Sequence, residues 1–149
     1  MKVLKQMIHT ALRDDASLRT TLGHAAVPYG VYEAFFPESS DFSSKSYVTW
    51  QFLGGPAVDA AMQNETDMRR RVLTVSITAF SADHDTLEDL HKRIRRLLIG
   101  MHGVTKPSAD AEVHGIEHVD AGPDLFDDEK KVYFRAETYR ILFREDFTA

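Results

Sequence analysis

Apolar positions follow two rhythms along this chain, one helical and one alternating, and the first change between them comes at Pro28. Over residues 3–12, Val3, Leu4, Met7, Ile8, Ala11 and Leu12 fall at helical spacing, with Lys5, Gln6, His9 and Thr10 on the other side. Asp14-Asp15 ends that helix or opens the next turn. Residues 16–22 carry Leu18 and Leu22 four apart, then Gly23 as a stop. After Pro28 the aromatic, β-prone residues 29–36 predict a strand closed by Pro37, and the Ser- and Asp-rich residues 38–45 predict a loop. Residues 47–53 predict a second strand with Val48, Trp50 and Phe52 on one face, broken by Gly54-Gly55-Pro56. Residues 71–80 alternate cleanly: Leu73, Val75, Ile77 and Ala79 face one way, Val72, Thr74, Ser76 and Thr78 the other.

The helical rhythm returns after Ser81. Asp85 followed by Glu88 has the spacing of a capping box, and Leu87, Leu90, Ile94, Leu97, Leu98 and Met101 make one stripe. Lys92, Arg93, Arg95 and Arg96 lie towards the C-terminal end, where the helix dipole favours positive charge, and Gly100 or Gly103 ends the element. Residues 106–110 predict a loop, 113–119 a strand, and 120–131 a polar connection with Gly122-Pro123. Residues 132–144 predict a last strand whose imperfect alternation over 139–142 suggests a bulge or a strand serving two surfaces. The order is α-β-β-β-α-β-β. It predicts an α+β fold, an antiparallel or mixed sheet with helices packed on one face, in a single domain spanning 1–149. The connection 57–70 is longer than a hairpin needs and is where function is first sought.

The chain has 149 residues, 43% hydrophobic and 28% charged. A domain of about this length buries roughly 68–70% of its unfolded surface, enough for a core without cross-links. It contains no cysteine, which excludes disulfides, thiolate catalysis and Cys-based zinc sites. A net charge of −5 gives no support to sequence-independent DNA binding. No apolar run approaches the roughly 20 residues of a membrane span, and the first residues lack the pattern of a signal peptide. A soluble intracellular protein without membrane contact is expected.

Candidate chemistry is sparse. His114 and His118 lie four apart in a strand without a third ligand, and His84 and His91 do not form a ligand pair, so these read as structural or solvated. Asp83, Asp85, Glu88 and Asp89 fit a dipole-matched helix start better than a calcium loop. Asp127-Asp128-Glu129 before Lys130-Lys131 reads as a solvated turn. Gly54-Gly55-Pro56 lacks the spacing and lysine of a phosphate loop, and no nucleophile-elbow serine occurs. Arg69-Arg70-Arg71 reads as a charged strand entry before a nucleic-acid contact. No catalytic residue, metal or cofactor is expected.

The short N-terminal helix, the strand entry Pro28-Tyr29-Gly30-Val31-Tyr32, the long hairpin connection, the strand of residues 72–81 running through a Ser/Asp-rich turn into the Arg-rich helix of residues 86–98, and Tyr139-Arg140-Ile141-Leu142-Phe143-Arg144 come in a telling order. Together they resemble the tail-completion, or tail-terminator, proteins in the neck of long-tailed bacteriophages and related gene-transfer particles. The resemblance covers nearly the whole chain and implies a homo-oligomeric ring, commonly a hexamer, on the finished tail tube. Such a ring stops tube polymerisation and offers a surface for joining the head. It implies as partners the tail tube protein, a head-completion or connector protein, and DNA passing through the lumen without specific binding. The implied location is the virion tail or neck, after assembly in the host cytoplasm. No catalytic residues come with it. The connection 57–70 then becomes a candidate arm, with Asp59, Met62, Asn64, Glu65, Met68, Arg69 and Arg70 at a subunit or tube interface. Alternatives are a head-closure or tail-tube subunit, or a small ligand-binding or enzymatic α+β domain.

Overall fold

The computed structural model describes residues 2–37, 40–58, 68–101 and 111–146. Helix α1 (Lys2–Asp14) and the short α2 (Ala16–Leu22) open the chain. Asp15 caps α2 by accepting from the Leu18 amide at 2.8 Å, and Gly23 closes it in the left-handed region at φ 79°. Six strands follow: β1 (Val31–Glu33), β2 (Tyr47–Val58), β3 (Met68–Ser81), β4 (Ala111–Ala121), β5 (Leu125–Asp127) and β6 (Val132–Asp146), with α3 (His84–Ile99) between β3 and β4. They form one mixed sheet in the order β1-β2-β3-β6-β4, and β5 pairs with the start of β6. Only β1 runs parallel to its neighbour.

All three helices pack on one face, as an α+β fold of this kind requires. Leu4, Ile8 and Leu12 of α1, Leu18 and Leu22 of α2, and Leu87, Leu90, Ile94 and Leu98 of α3 join one core. The sheet supplies Trp50, Leu73, Val75, Ile77, Tyr139, Ile141 and Phe143 to that same core. The alternation expected on β3 is the one observed: Leu73, Val75, Ile77 and Ala79 are buried under the helices.

Several expectations are corrected. The element order gains α2 as a helix and β5 as a short strand. The first strand shrinks to three residues because positive φ angles flank it, at Tyr29 (57°) and Gly30 (80°) before and Ala34 (66°) after. Gly54-Gly55-Pro56 does not end β2; the strand continues to Val58 across a register shift between Leu53 and Ala57. Small residues and a proline without an amide are what an irregular edge tolerates. The cap of α3 is Asp83, which accepts from the Thr86 amide and hydroxyl, so Asp85 and Glu88 do not form the box. On β6 the pairing with β3 is unbroken from Tyr133 to Asp146, and the bulges lie instead on β4. The alternation over 139–142 looked imperfect because apolar Leu142 takes an outward, half-buried position between buried Ile141 and Phe143.

Candidate functional site

The face of the sheet opposite the helices is uncovered among the described residues. In β3 its outward positions are Val72, Thr74, Ser76, Thr78 and Phe80, all half-buried and none charged. Pairing carries this neutrality across the neighbours. Thr49, Thr78 and Ala136 form one row; Gln51, Ser76 and Thr138 form the next. The first charge on β6 from that end is Arg140, beside Glu117 of β4 at 3.4 Å. A solvated face of an antiparallel sheet ordinarily carries polar and charged side chains. Hydroxyls, an amide and apolar groups over several strands suit contact with another surface better than contact with bulk water.

At one end this face deepens into a groove of about 560 Å³. Its floor is the Thr49–Thr78–Ala136 row, and its end wall is aromatic. Phe36 meets Phe80 edge-on at 4.8 Å and Phe42 at 5.3 Å, while Phe80 stacks on Phe134 at 5.7 Å. Tyr47, Phe42 and Val132 are buried beneath them as a second small cluster. The opposite wall comes from β5 and the turn before it, with Gly122 hydrogen-bonded to the Ala136 carbonyl at 2.8 Å. A Cβ at Gly122 would lie 2.9 Å from that same oxygen, so this close approach requires glycine. Two features of the rim stand out: Phe35 is 83% exposed, and the Lys130 ammonium sits 4.8 Å over the Phe36 ring. Lys130 makes no ion pair among the described residues, and Asp127, which lines the same groove, accepts the Glu129 and Lys130 amides through one carboxylate oxygen.

A second concentration of polar groups lies inside the core. Glu137 is fully buried on β6 and receives Arg95 from α3 at 2.7 Å and Arg135 at 3.2 Å. His118 Nε2 and His91 Nδ1 lie 2.8 and 3.0 Å from its oxygens. The other nitrogen of His91, Nε2, carries a proton that it donates to the Arg135 carbonyl at 2.9 Å, since a carbonyl only accepts. Burial opposes the Glu137 charge, but Arg95, His91 and Arg135 outweigh it and hold its pKa below the usual carboxylate value. Burial lowers His91 and raises the Tyr139 phenol to about 12. Arg135 continues outward to Glu88 and to Asp124 (2.9 Å), and Asp124 also holds His84 at 2.7 Å. The grouping of His84, Glu88 and Asp124 has ligand-like spacing, yet a guanidinium already bridges its two carboxylates. The network ties α3 to β6 and β4, and its Glu88, Arg95 and Arg135 line a small hollow of about 130 Å³.

The expected interface residues fall in two groups. Asp59, Met62, Asn64 and Glu65 lie outside the described residues. Met68, Arg69 and Arg70 belong to β3, opposite Asp146, Glu145 and Arg144 of β6, so both strands of the hairpin run further into the connection than expected. Of the histidines, His91 is buried in the core network, His84 is ion-paired, and His118 packs on Tyr139 at 5.2 Å. Sequence reasoning missed the groove altogether. Its signal was present in Phe35-Phe36, Phe80 and Phe134, but these sit on separate elements and only the β2–β3–β6 register brings them together.

No protein family matches the sequence of this chain, and no curated protein matches it. Among solved structures, a chain from the virion of a native gene transfer agent (GTA) particle is similar in fold. The TM-score is 0.64 at 18% sequence identity, over 92% of this chain and 91% of that one.

Proposed function

We propose that this chain is a structural subunit of a phage-like virion. Copies assemble head-to-tail into a ring, a hexamer on the family resemblance, at the head-proximal end of the tail tube. The ring ends tube polymerisation and presents its other side to a head-completion or connector protein. The observation that carries this reading is the end-to-end likeness in fold to a chain of a gene transfer agent virion, which leaves little of either chain unmatched. Two features of the molecule support it. The open sheet face is neutral around its groove and partly apolar, as a subunit contact would be, and β2 and β3 end at Val58 and Met68 at the end of the sheet away from that groove. Cyclic assembly joins two different patches of one subunit, and the grooved face can serve as one of them. The net charge of −5 fits a lumen through which DNA slides without being held.

The test is to polymerise the cognate tube protein with and without this chain and to measure tube lengths by negative stain. A terminator leaves short tubes with a single cap at one end and no further growth. Tubes that lengthen unchanged, or tubes built from this chain alone, would contradict the proposal.

A further inference from the structure

We infer that His84, Glu88 and Asp124 form a surface site for one divalent transition ion of the Zn²⁺ class. His84 is the first residue of α3 and Glu88 lies four residues on, so both side chains stand on one face of the helix. Asp124 reaches them from the turn between β4 and β5. One donor atom from each residue lies within 4.8 Å of the others, and His84 Nε2 already meets Asp124 Oδ2 at 2.7 Å. Around Zn²⁺, with bonds of about 2.0–2.2 Å, tetrahedral donors stand about 3.4 Å apart, between those two separations. Small rotations of exposed side chains therefore complete the set. Asp83 is not part of it, since its carboxylate caps α3 and accepts from the Thr86 amide and hydroxyl.

The Arg135 guanidinium orients this group without using up its donors. Its Nη1 donates to Glu88 Oε1 and, at 2.9 Å, to Asp124 Oδ1, which takes one oxygen of each carboxylate. Glu88 Oε2 and Asp124 Oδ2 are left as donors, the second of them already against His84. Outer hydrogen bonds of this kind are how metal sites hold their carboxylates in place. Tyr133 meets the His84 ring edge-on at 5.6 Å and braces it in the same way. Charge points in the same direction. The ion-paired network sets Glu88, Asp124 and Glu137 against the guanidiniums of Arg95 and Arg135, and a cation at its outer end offsets the excess. The donor set decides the class of ion. One imidazole with two carboxylates suits Zn²⁺ and its transition-metal neighbours, whereas Mg²⁺ and Ca²⁺ take oxygen donors. All three residues are exposed, so water completes the coordination, and the bound ion ties the start of α3 to the β4–β5 turn.

The test uses the full chain, stripped of metal by a chelator and titrated with ZnCl₂ by calorimetry and in ¹H–¹⁵N spectra. One Zn²⁺ per chain is expected to bind saturably, moving the resonances of His84 and Asp124 and leaving those of His24 and His118 in place. MgCl₂ and CaCl₂ are expected to give no such binding. Glu88→Gln keeps an oxygen for Arg135 but loses the charge a metal needs, and His84→Ala removes the imidazole. Each is expected to weaken Zn²⁺ binding at least about tenfold, no less than the loss of an outer-shell partner does. Both positions are exposed, so the metal-free variants should melt close to metal-free wild type. The wild-type spectra decide the matter even where a variant fails to fold. Absence of saturable Zn²⁺ binding, shifts confined to other histidines, or an affinity unchanged in both variants would overturn the site.

Discussion

Glu137 and Asp15 show how single residues tie the helical layer to the sheet and to itself. Glu137 is buried with Arg95, Arg135, His91 and His118 around it; without its charge Arg135 keeps Glu88 and Asp124, and Arg95, 40% exposed, can turn to solvent. Glu137→Gln is expected to lower unfolding free energy by about 1–3 kcal/mol in urea denaturation, the loss of charged hydrogen bonds. Replacing Arg135 and Glu137 together by Leu is expected to cost less than the two single losses combined, because neither charge is then left unpaired. Asp15 acts at two levels, capping α2 and receiving Arg93 of α3 at 2.6 and 2.9 Å. Arg93 lowers its pKa most, burial opposes, and the Leu18 amide adds to the lowering. A carboxylate depressed in the folded state contributes stability that is complete above its unfolded value of 3.8 and lost as pH falls through the folded value. Asp15→Asn keeps an amide oxygen for the cap and loses the ion pair, so its deficit should be largest above pH 4 and shrink below it. Asp15→Ala should cost a further 1 kcal/mol or about that much at every pH. Unfolding titrations of the three proteins from pH 2 to 7 check both statements.

At the scale of elements, residues 73–79 of β3 were legible residue by residue, because the inward Leu73, Val75, Ile77 and Ala79 are apolar and the outward Thr74, Ser76 and Thr78 carry hydroxyls. The stripe of α3 was equally plain; its cap was not, since Asp83 and Asp85 are both acceptable capping residues and only geometry separates them. β6 was harder, because charged Arg135 and Glu137 occupy core-facing positions and satisfy each other only after α3 and β4 arrive. The run Gly54-Gly55-Pro56 has turn composition, but pairing with β3 on both sides carries β2 through it. The groove lay beyond reach for a different reason: it belongs to no element and arises from the register of three strands. The hairpin carries its own prediction. Replacing residues 59–67 by Asn-Gly should leave the fold intact, since Val58 pairs with Arg71 and the five residues then left between them are a length that hairpin loops use. Thermal unfolding is expected to stay near wild type, while ring formation and tube capping are lost. A shortened hairpin that still forms rings would show that the arm is not the subunit contact.

As a whole, the molecule has one face committed to its own core and the other left neutral and grooved. Its helices cover the sheet once, and the uncovered face is free of charge over the two rows Thr49–Thr78–Ala136 and Gln51–Ser76–Thr138, with Arg140 following in the next row. In the proposed ring, the helical layer keeps the fold and the open face is one of the two patches that meet successive neighbours. The central claim is therefore about assembly. The most direct measurement is the mass of the purified protein across concentration, by light scattering behind a sizing column, with the same sample imaged by negative stain alone and with tail tubes. The account predicts one discrete closed species, six times the 16.9 kDa chain mass on the family resemblance, or a monomer that caps tube ends as such a ring. Open-ended tubes of this chain, or a monomer or dimer that ignores tail tubes, would contradict it.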